Sequence, residues 1–323
     1  MKHYHPKLND KGEPVTVIKP SIKSDRAAWT MPNALATATP GSAMPESIGE
    51  IDIQSWNDAP TDTAGWESFV NPTKIEEPAF AVNPGKKPAS GAVIVEYDGR
   101  VWVFSPTNQY MGYVNTFPKG KIDPKQPLSM QANAVKEAFE ETGLKIQLIG
   151  FLCDSQRDTT TTRYYLAHRV GGNPADMGWE SQAVHLVPRD KLQGFVEHSN
   201  DAVVLKKLTN MLPPTLKRED VLITPSISSV GRIIFAVNGF RCRHGEWPTR
   251  IKMDASMADA IQDHVLTPLG WTMMSAKMDI VRISEGTVIA ENRTSFFEYD
   301  AKNNVPHDTE PADVWIWGLK LLD

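Results

Sequence analysis

Three glutamates, Glu137, Glu140 and Glu141, stand at i, i+3, i+4 within the stretch Gly120 to Leu144. On a helix that spacing brings all three carboxylates onto one face within a turn of each other. Like charges so placed cost a helix roughly 0.2–0.5 kcal/mol per pair, so the cluster becomes favourable only when something positive meets it. A divalent cation does so: Mg²⁺ takes hard oxygen ligands, usually a few carboxylates together with the phosphates of a substrate. The plainer alternative for such a cluster is a solvated helix face.

The elements around the cluster must position it. Leu128, Ala132, Val135 and Phe139 recur at helical spacing opposite the glutamates and form a stripe to bury. Gly143 follows where a left-handed residue would end the helix. Before it, Ala92–Tyr97 and Val101–Phe104 flank Asp98-Gly99 and read as a hairpin. After it, Ile146–Phe151 and Arg163–Val170 read as strands, with the polar Asp154–Thr162 as a loop between them. Trp179–Val187 reads as a further strand, Pro188–Leu192 as a turn, and Ala202–Leu212 as a helix. Glu197, His198 and Asp201 open that helix, as caps or dipole partners or, on a minority reading, with a catalytic base among them.

Lys136 to Leu144, KEAFEETGL, resembles the core of the Nudix box, and Phe117-Pro118-Lys119-Gly120-Lys121 looks like the loop that opens it. Three departures stand out. Lys136 replaces an arginine, giving a point charge for a planar fork; Gln126 falls where the family's first box glutamate belongs; and the spacing from Gly120 to Glu137 is longer by two residues. The resemblance implies an α/β/α sandwich with a mixed sheet and a Mg²⁺- or Mn²⁺-dependent hydrolase cutting a nucleoside diphosphate from another moiety. It implies metal ligation by Glu137, Glu140, Glu141 and the Gly120 carbonyl, with Glu141 or Glu137 also able to take a proton from the attacking water. Glu180 is the candidate for the family's late extra carboxylate, or else a strand-edge charge. Lys119 and Lys121 contact substrate phosphates on this reading, or are solvated loop lysines. Arg163 lies on a strand near the expected cleft, and of the adjacent Tyr164 and Tyr165 only one can face it, the other entering the core; Tyr165 is the candidate. Lys136 and Gly143 are structural, the lysine fixing a glutamate rotamer. The loop and the TTTTRYY stretch are closer to enzymes of dinucleoside or inositol polyphosphates than to the coenzyme A class, and Thr160 stands where the ADP-ribose class often carries proline.

The chain has 323 residues, 41% of them hydrophobic, and a formal net charge of −5. The length predicts more than one domain. Residues 1–47, rich in Pro, Ala, Ser and Thr, read as an extended, partly disordered arm that could wrap a partner subunit. Residues 48–87 read as an extension packing on the catalytic domain, its Trp56 and Trp66 sealing an edge or stacking on a substrate ring. Residues 88–214 are the expected catalytic domain, closed at Met211-Leu212-Pro213-Pro214. Residues 219–323 read as a small α+β domain with strands at 232–240, 249–253, 280–283, 287–290, 295–299 and 314–319 and a helix at 256–266 stopped by Pro268–Gly270; His244 there reads as a surface residue. The acidic balance argues against nucleic acid as partner. No apolar run is long enough to span a bilayer, and the two cysteines, Cys153 and Cys242, form no framework; both point to a cytoplasmic protein, and the Nudix resemblance implies a phosphorylated small molecule as its partner, with a homodimer as the family's habit. Two other functions compete: a sensor or interaction module on the same fold with weak or lost hydrolysis, and a pyrophosphohydrolase of RNA 5′ ends.

Overall fold

The computed structural model describes residues 2–211 except 32, 49–50, 97–98 and 110–111, and beyond them parts of the chain, chiefly 247–260, 268–284 and 287–298. The chain divides into two units, one of residues 1–96 and 100–209, the other of 97–99 and 210–323.

The first unit is mixed α+β, built on a seven-stranded mixed sheet. Its elements in order are β1 (His3–Tyr4), β2 (Thr16–Val17), β3 (Ala36–Ala38), β4 (Ser47–Ile48), β5 (Ile51–Asp52), α1 (Thr63–Val70), β6 (Lys87–Val95), β7 (Val101–Pro106), β8 (Lys119–Lys121), α2 (Met130–Thr142), β9 (Leu144–Gln156), β10 (Thr160–Gly172), β11 (Ser181–Val187) and α3 (Ala202–Met211). The sheet runs β3-β11-β7-β6-β10-β9, with β8 paired to β6 off this path. Only β6 and β10 run parallel, with Tyr165 opposite Ala92; the remaining pairs are antiparallel. Strand alternation gathers Ala92, Ile94, Trp102, Phe104, Tyr165, Ala167, Val184 and Leu186 into one core, which Ala132, Val135 and Ala138 of α2 complete.

The helix carrying the glutamates forms for local reasons. Ser129 accepts from the Ala132 N–H as N-cap, while Glu67 of α1 takes the Ser129 N–H and hydroxyl. Gly143 ends it at φ +70 with its N–H on the Phe139 carbonyl. A β-carbon there would lie 2.2 Å from the Asn173 carbonyl oxygen, so position as well as conformation requires glycine.

Several expectations change. Residues 1–47 are packed rather than loose: Trp29, Ala36 and Ala38 are buried in the core and β3 forms a sheet edge against β11. Trp56 and Trp66 are buried against Phe139 and Phe69, so they pack into the core. Most of the stretch 154–162 is strand: β9 reaches Gln156 and β10 begins at Thr160, pairing Thr162 with Ser155 and Thr161 with Gln156, so that only residues 157–159 are left as a turn. Four consecutive threonines are polar, yet β-branched, and suit a pleated surface. The strand expected from Trp179 starts at Ser181.

In the second unit, β12 (Thr215–Lys217) pairs in parallel with β17 (Lys320–Leu322), and β13 (Arg250–Asp254), β14 (Asp279–Ile283), β15 (Val288–Glu291) and β16 (Phe296–Glu298) form a sheet in the order β14-β13-β15-β16. Helices α4 (Ala255–Ala260) and α5 (Pro268–Lys277) accompany it. Pro268, expected to stop a helix, starts one, since a helix's first turn tolerates proline. The strand expected over 232–240 is helical at its described residues 232–233, 236–237 and 240. His244 packs its ring against Phe240. The turn residue Asp98, the boundary Leu212–Pro214 and the strand at 314–319 lie outside the described residues. Among the described residues no helix is long and apolar enough to cross a membrane.

Candidate functional site

A cavity of about 860 Å³ opens at the end of α2, and Gly120, Lys136, Glu137, Glu140, Glu141 and Glu180 all lie in its wall, with Lys119 and Lys121. Strand β8 brings Gly120 to the helix by pairing Gly120 with Ser90 and Lys119 with Gly91 of β6. The approach is as close as glycine allows: a β-carbon on Gly120 would meet Glu137 Oε2 at 2.0 Å. Asn133 Nδ2 donates to both Ser90 Oγ, at 3.0 Å, and the Gly120 carbonyl, at 3.1 Å, fixing the strand to the helix.

The glutamates differ in surroundings. Glu141 is buried, and its Oε2 accepts from the Lys119 N–H at 2.6 Å. Glu140 is half-exposed and paired with Lys136, whose ammonium is also 3.7 Å from Glu137. Lys136 thus lies between the two glutamate side chains and is bonded to one of them. Burial pushes the Glu137 carboxyl up to about 7 against the pull of Lys136, lifts Glu141 well above the carboxylate range, and raises Glu180 as well. Recession of Lys119, followed by the nearby Arg157 guanidinium, lowers its ammonium to about 8.

These donors fit a divalent cation. They are all hard oxygens, and the missing β-carbon at Gly120 leaves the Glu137 carboxylate against the backbone. Burying several carboxylates together is unfavourable by itself, and a cation among them reverses that cost. Among the described residues no three acidic, histidine or cysteine side chains already stand together as a ligand set, in keeping with the hold of Lys136 on Glu140 and of the Lys119 N–H on Glu141.

Two sequence-predicted substrate contacts are elsewhere. Arg163 is buried, bonded to Asp154, Glu77 and the Pro78 carbonyl, and the Tyr165 hydroxyl also donates to Glu77. Alternation along β10 explains it: Thr160 and Thr162 line the cavity, so Arg163 and Tyr165 turn from it. Tyr164, on the cavity-side register, is fully buried and accepts from Arg157. Asp201 is neither a cap nor free to act as base; its carboxylate is spent on the Arg157 guanidinium and the Thr116 hydroxyl.

Sequence reasoning missed Arg157, Tyr113 and Asn200 in the cavity wall. Arg157 donates to Tyr113 Oη at 2.7 Å and Asn200 Nδ2 donates to the same oxygen at 2.9 Å. Arg157 sits in the stretch taken for a loop, and nothing in its sequence neighbourhood marks it. Lys7 and Asp10 also line the cavity, from a segment the sequence assigned to a free arm.

Carboxylates presented by one helix to a cavity beside a lysine–glycine–lysine strand are the arrangement implied by the resemblance to the Nudix hydrolases, which cut pyrophosphate bonds. The family model described as NUDIX domain matches residues 85–208, and this part of the chain belongs to that family. Solved structures similar to it include a MutT NUDIX hydrolase from Burkholderia pseudomallei, 22% identical over 38% of this chain and 97% of that one with a TM-score of 0.33. An ADP-ribose pyrophosphatase from Streptococcus suis is 21% identical over 38% and 90% at 0.31, and a C. elegans Ap4A hydrolase is 19% identical over 38% and 95% at 0.32. No curated protein matches the chain. Nudix hydrolases generally use divalent metals.

Proposed function

We propose that the protein is a Mg²⁺- or Mn²⁺-dependent pyrophosphohydrolase of a nucleoside diphosphate linked to another moiety, a small molecule of the dinucleoside polyphosphate, ADP-ribose or diphosphoinositol kind. The observation that carries this reading is the gathering of Glu137, Glu140, Glu141, Glu180 and the Gly120 backbone in one cavity wall with Lys119 and Lys121. Its volume of about 860 Å³ falls in the usual range for a ligand of that size.

Glu137, Glu140, Glu141 and the Gly120 carbonyl would hold the cation, with Glu180 as a further donor. Bound there, a divalent ion supplies neutralisation of the charge that builds on the phosphoryl oxygens under attack. Lys119 and Lys121 hold substrate phosphates as point charges. Glu137 or Glu141 takes the proton of the attacking water as its oxygen bonds to phosphorus; the bridging P–O bond breaks and its electron pair leaves with the departing phosphate.

The test is release of phosphate or nucleotide from ADP-ribose, NADH, diadenosine polyphosphates, nucleoside triphosphates, diphosphoinositols and 5′-triphosphorylated RNA, each with Mg²⁺, with Mn²⁺ and with EDTA. Metal-dependent turnover of one small molecule is the expected result, reduced at least about 10–100-fold in Glu140→Gln or Glu141→Gln. Full activity in EDTA, or in both variants, rules the assignment out. Tight binding of one compound without turnover would favour a sensor on this fold, a reading to which the Lys136 hold on Glu140 lends some weight.

A further inference from the structure

The N-terminal residues lie outside the matched domain, yet two of them reach its cavity. β1 and β2 pair antiparallel, His3 with Val17 and Tyr4 with Thr16. Asn9 closes the hairpin's tip, its Oδ1 accepting from the Lys11 and Glu13 N–H groups. Both ends of the hairpin are tied to the catalytic unit. The Ile18 N–H donates to the Thr107 carbonyl at 2.8 Å, and Gln182 Nε2 donates to the Ile18 carbonyl at 3.0 Å. On the other leg His5 is buried, and Trp179 Nε1 donates to Asp10 Oδ1 at 3.0 Å.

These ties set Lys7 and Asp10 into the cavity wall beside Asp176, Gly178, Trp179 and Glu180. The two residues are not equivalent. Asp10 spends an oxygen on the Trp179 indole, whereas Lys7 donates only to the Asp176 backbone carbonyl, and among the described residues no carboxylate comes within ion-pair distance of its ammonium. Lys7 is exposed, and the Asp176 carboxylate attracts its ammonium without forming an ion pair with it; such a charge facing a cavity, on a segment anchored independently of it, is placed for an anion arriving from solvent. Solvation of Lys7 alone would not require the anchors that flank it.

We infer that the N-terminal hairpin is part of the active site in cis, with Lys7 binding an anionic phosphoryl oxygen of the substrate and Asp10 holding Trp179 as the adjoining wall. This rests on the pyrophosphohydrolase reading and adds a specificity residue from outside the matched domain. It also accounts for the packed N-terminus: a segment whose composition reads as an extended arm completes its own chain's cavity.

The test uses the full chain and a non-hydrolysable probe, methylenediphosphonate with Mg²⁺, bound in a calorimeter, together with KM and kcat for whichever panel compound is turned over. Lys7→Met should weaken probe binding about tenfold, the scale of one charge-assisted contact, and raise KM more than it lowers kcat. Lys7→Arg should recover most of the loss, and Lys11→Met, a charge on the same hairpin outside the cavity, should match the wild type. Equal binding and KM in Lys7→Met and the wild type overturn the inference and leave the hydrolase reading standing. A wild-type chain that neither binds the probe nor turns over any panel compound overturns both.

Discussion

Gly120 and Glu137 approach so closely that a single methyl group at Gly120 would lie 2.0 Å from the glutamate Oε2. The clashing atoms are the far end of a flexible side chain, so Gly120→Ala should be accommodated by swinging the carboxylate away. Stability and activity should therefore separate. The variant is expected to melt within a few degrees of the wild type while turnover falls about 10–100-fold, the range for displaced metal-site groups. Parallel thermal melts and initial rates check this; an active Gly120→Ala would mean that Glu137 is not a ligand.

Lys119 gives the site a basic limb. Its ammonium is lowered to about 8, mainly by its recession and next by Arg157. It carries its charge below that pH and loses it above, so an anionic substrate should bind less well as pH rises through 8. Plotted against pH, kcat/KM should fall on the alkaline side from near 8, and Lys119→Arg, which stays charged, should move that fall upward. An unmoved alkaline limb in Lys119→Arg would assign it to another group.

How much of this the sequence makes legible depends on the range of the interaction. The α2 segment announces itself because its stripe, its glutamates and Gly143 are local signals, and the glutamates, Gly120, Glu180, Lys119 and Lys121 all reach one cavity. Arg163 and Tyr165 were misplaced because the register of β10 depends on its partners, and a shift of one residue exchanges cavity and core. Thr160 and Thr162 took the cavity positions instead. The Arg157–Asp201 pair spans 44 residues and the Trp179–Asp10 bond 169; no periodicity reports contacts at such separations. The N-terminus differs for a related reason, since its Pro- and Ser-rich composition resembles disorder while a few scattered residues, Trp29, Ala36 and Ala38 among them, carry its burial.

His185 should make the fold acid-sensitive. Its ring is buried between the Thr37 hydroxyl, 2.9 Å from Nδ1, and the Ser105 hydroxyl, 2.8 Å from Nε2. Burial lowers its pKa from 6.5 to about 4. The unfolded chain takes up a proton below 6.5 and the folded chain does not until near 4. The stability is thus whole above 6.5 and is lost as pH falls towards 4, at about 1.4 kcal/mol per pH unit from this residue. Urea midpoints at pH 7.5 and pH 5 should differ more for the wild type than for His185→Gln, which cannot titrate. Equal differences would place the acid sensitivity elsewhere.

The packed N-terminus also makes a prediction about where the catalytic fold begins. Trp29 stacks on Trp102 of β7 with ring centroids 5.9 Å apart, and Arg100 donates to the Ala28 and Trp29 carbonyls at 2.9 and 2.6 Å. Removing residues 1–47 would therefore bare Trp102 and leave buried Arg100 without those acceptors, a penalty added to the lost apolar burial. A chain trimmed to the matched residues 85–208 is expected to be insoluble or partly unfolded, although it holds the whole glutamate helix. Trp29→Ala in the full chain isolates the packing component: a buried tryptophan truncated to alanine costs about 3–5 kcal/mol, readable as a lower urea midpoint with the glutamates of α2 untouched. A soluble, active 85–208 fragment, or a Trp29→Ala variant of unchanged midpoint, would show that the N-terminus is dispensable to the catalytic fold.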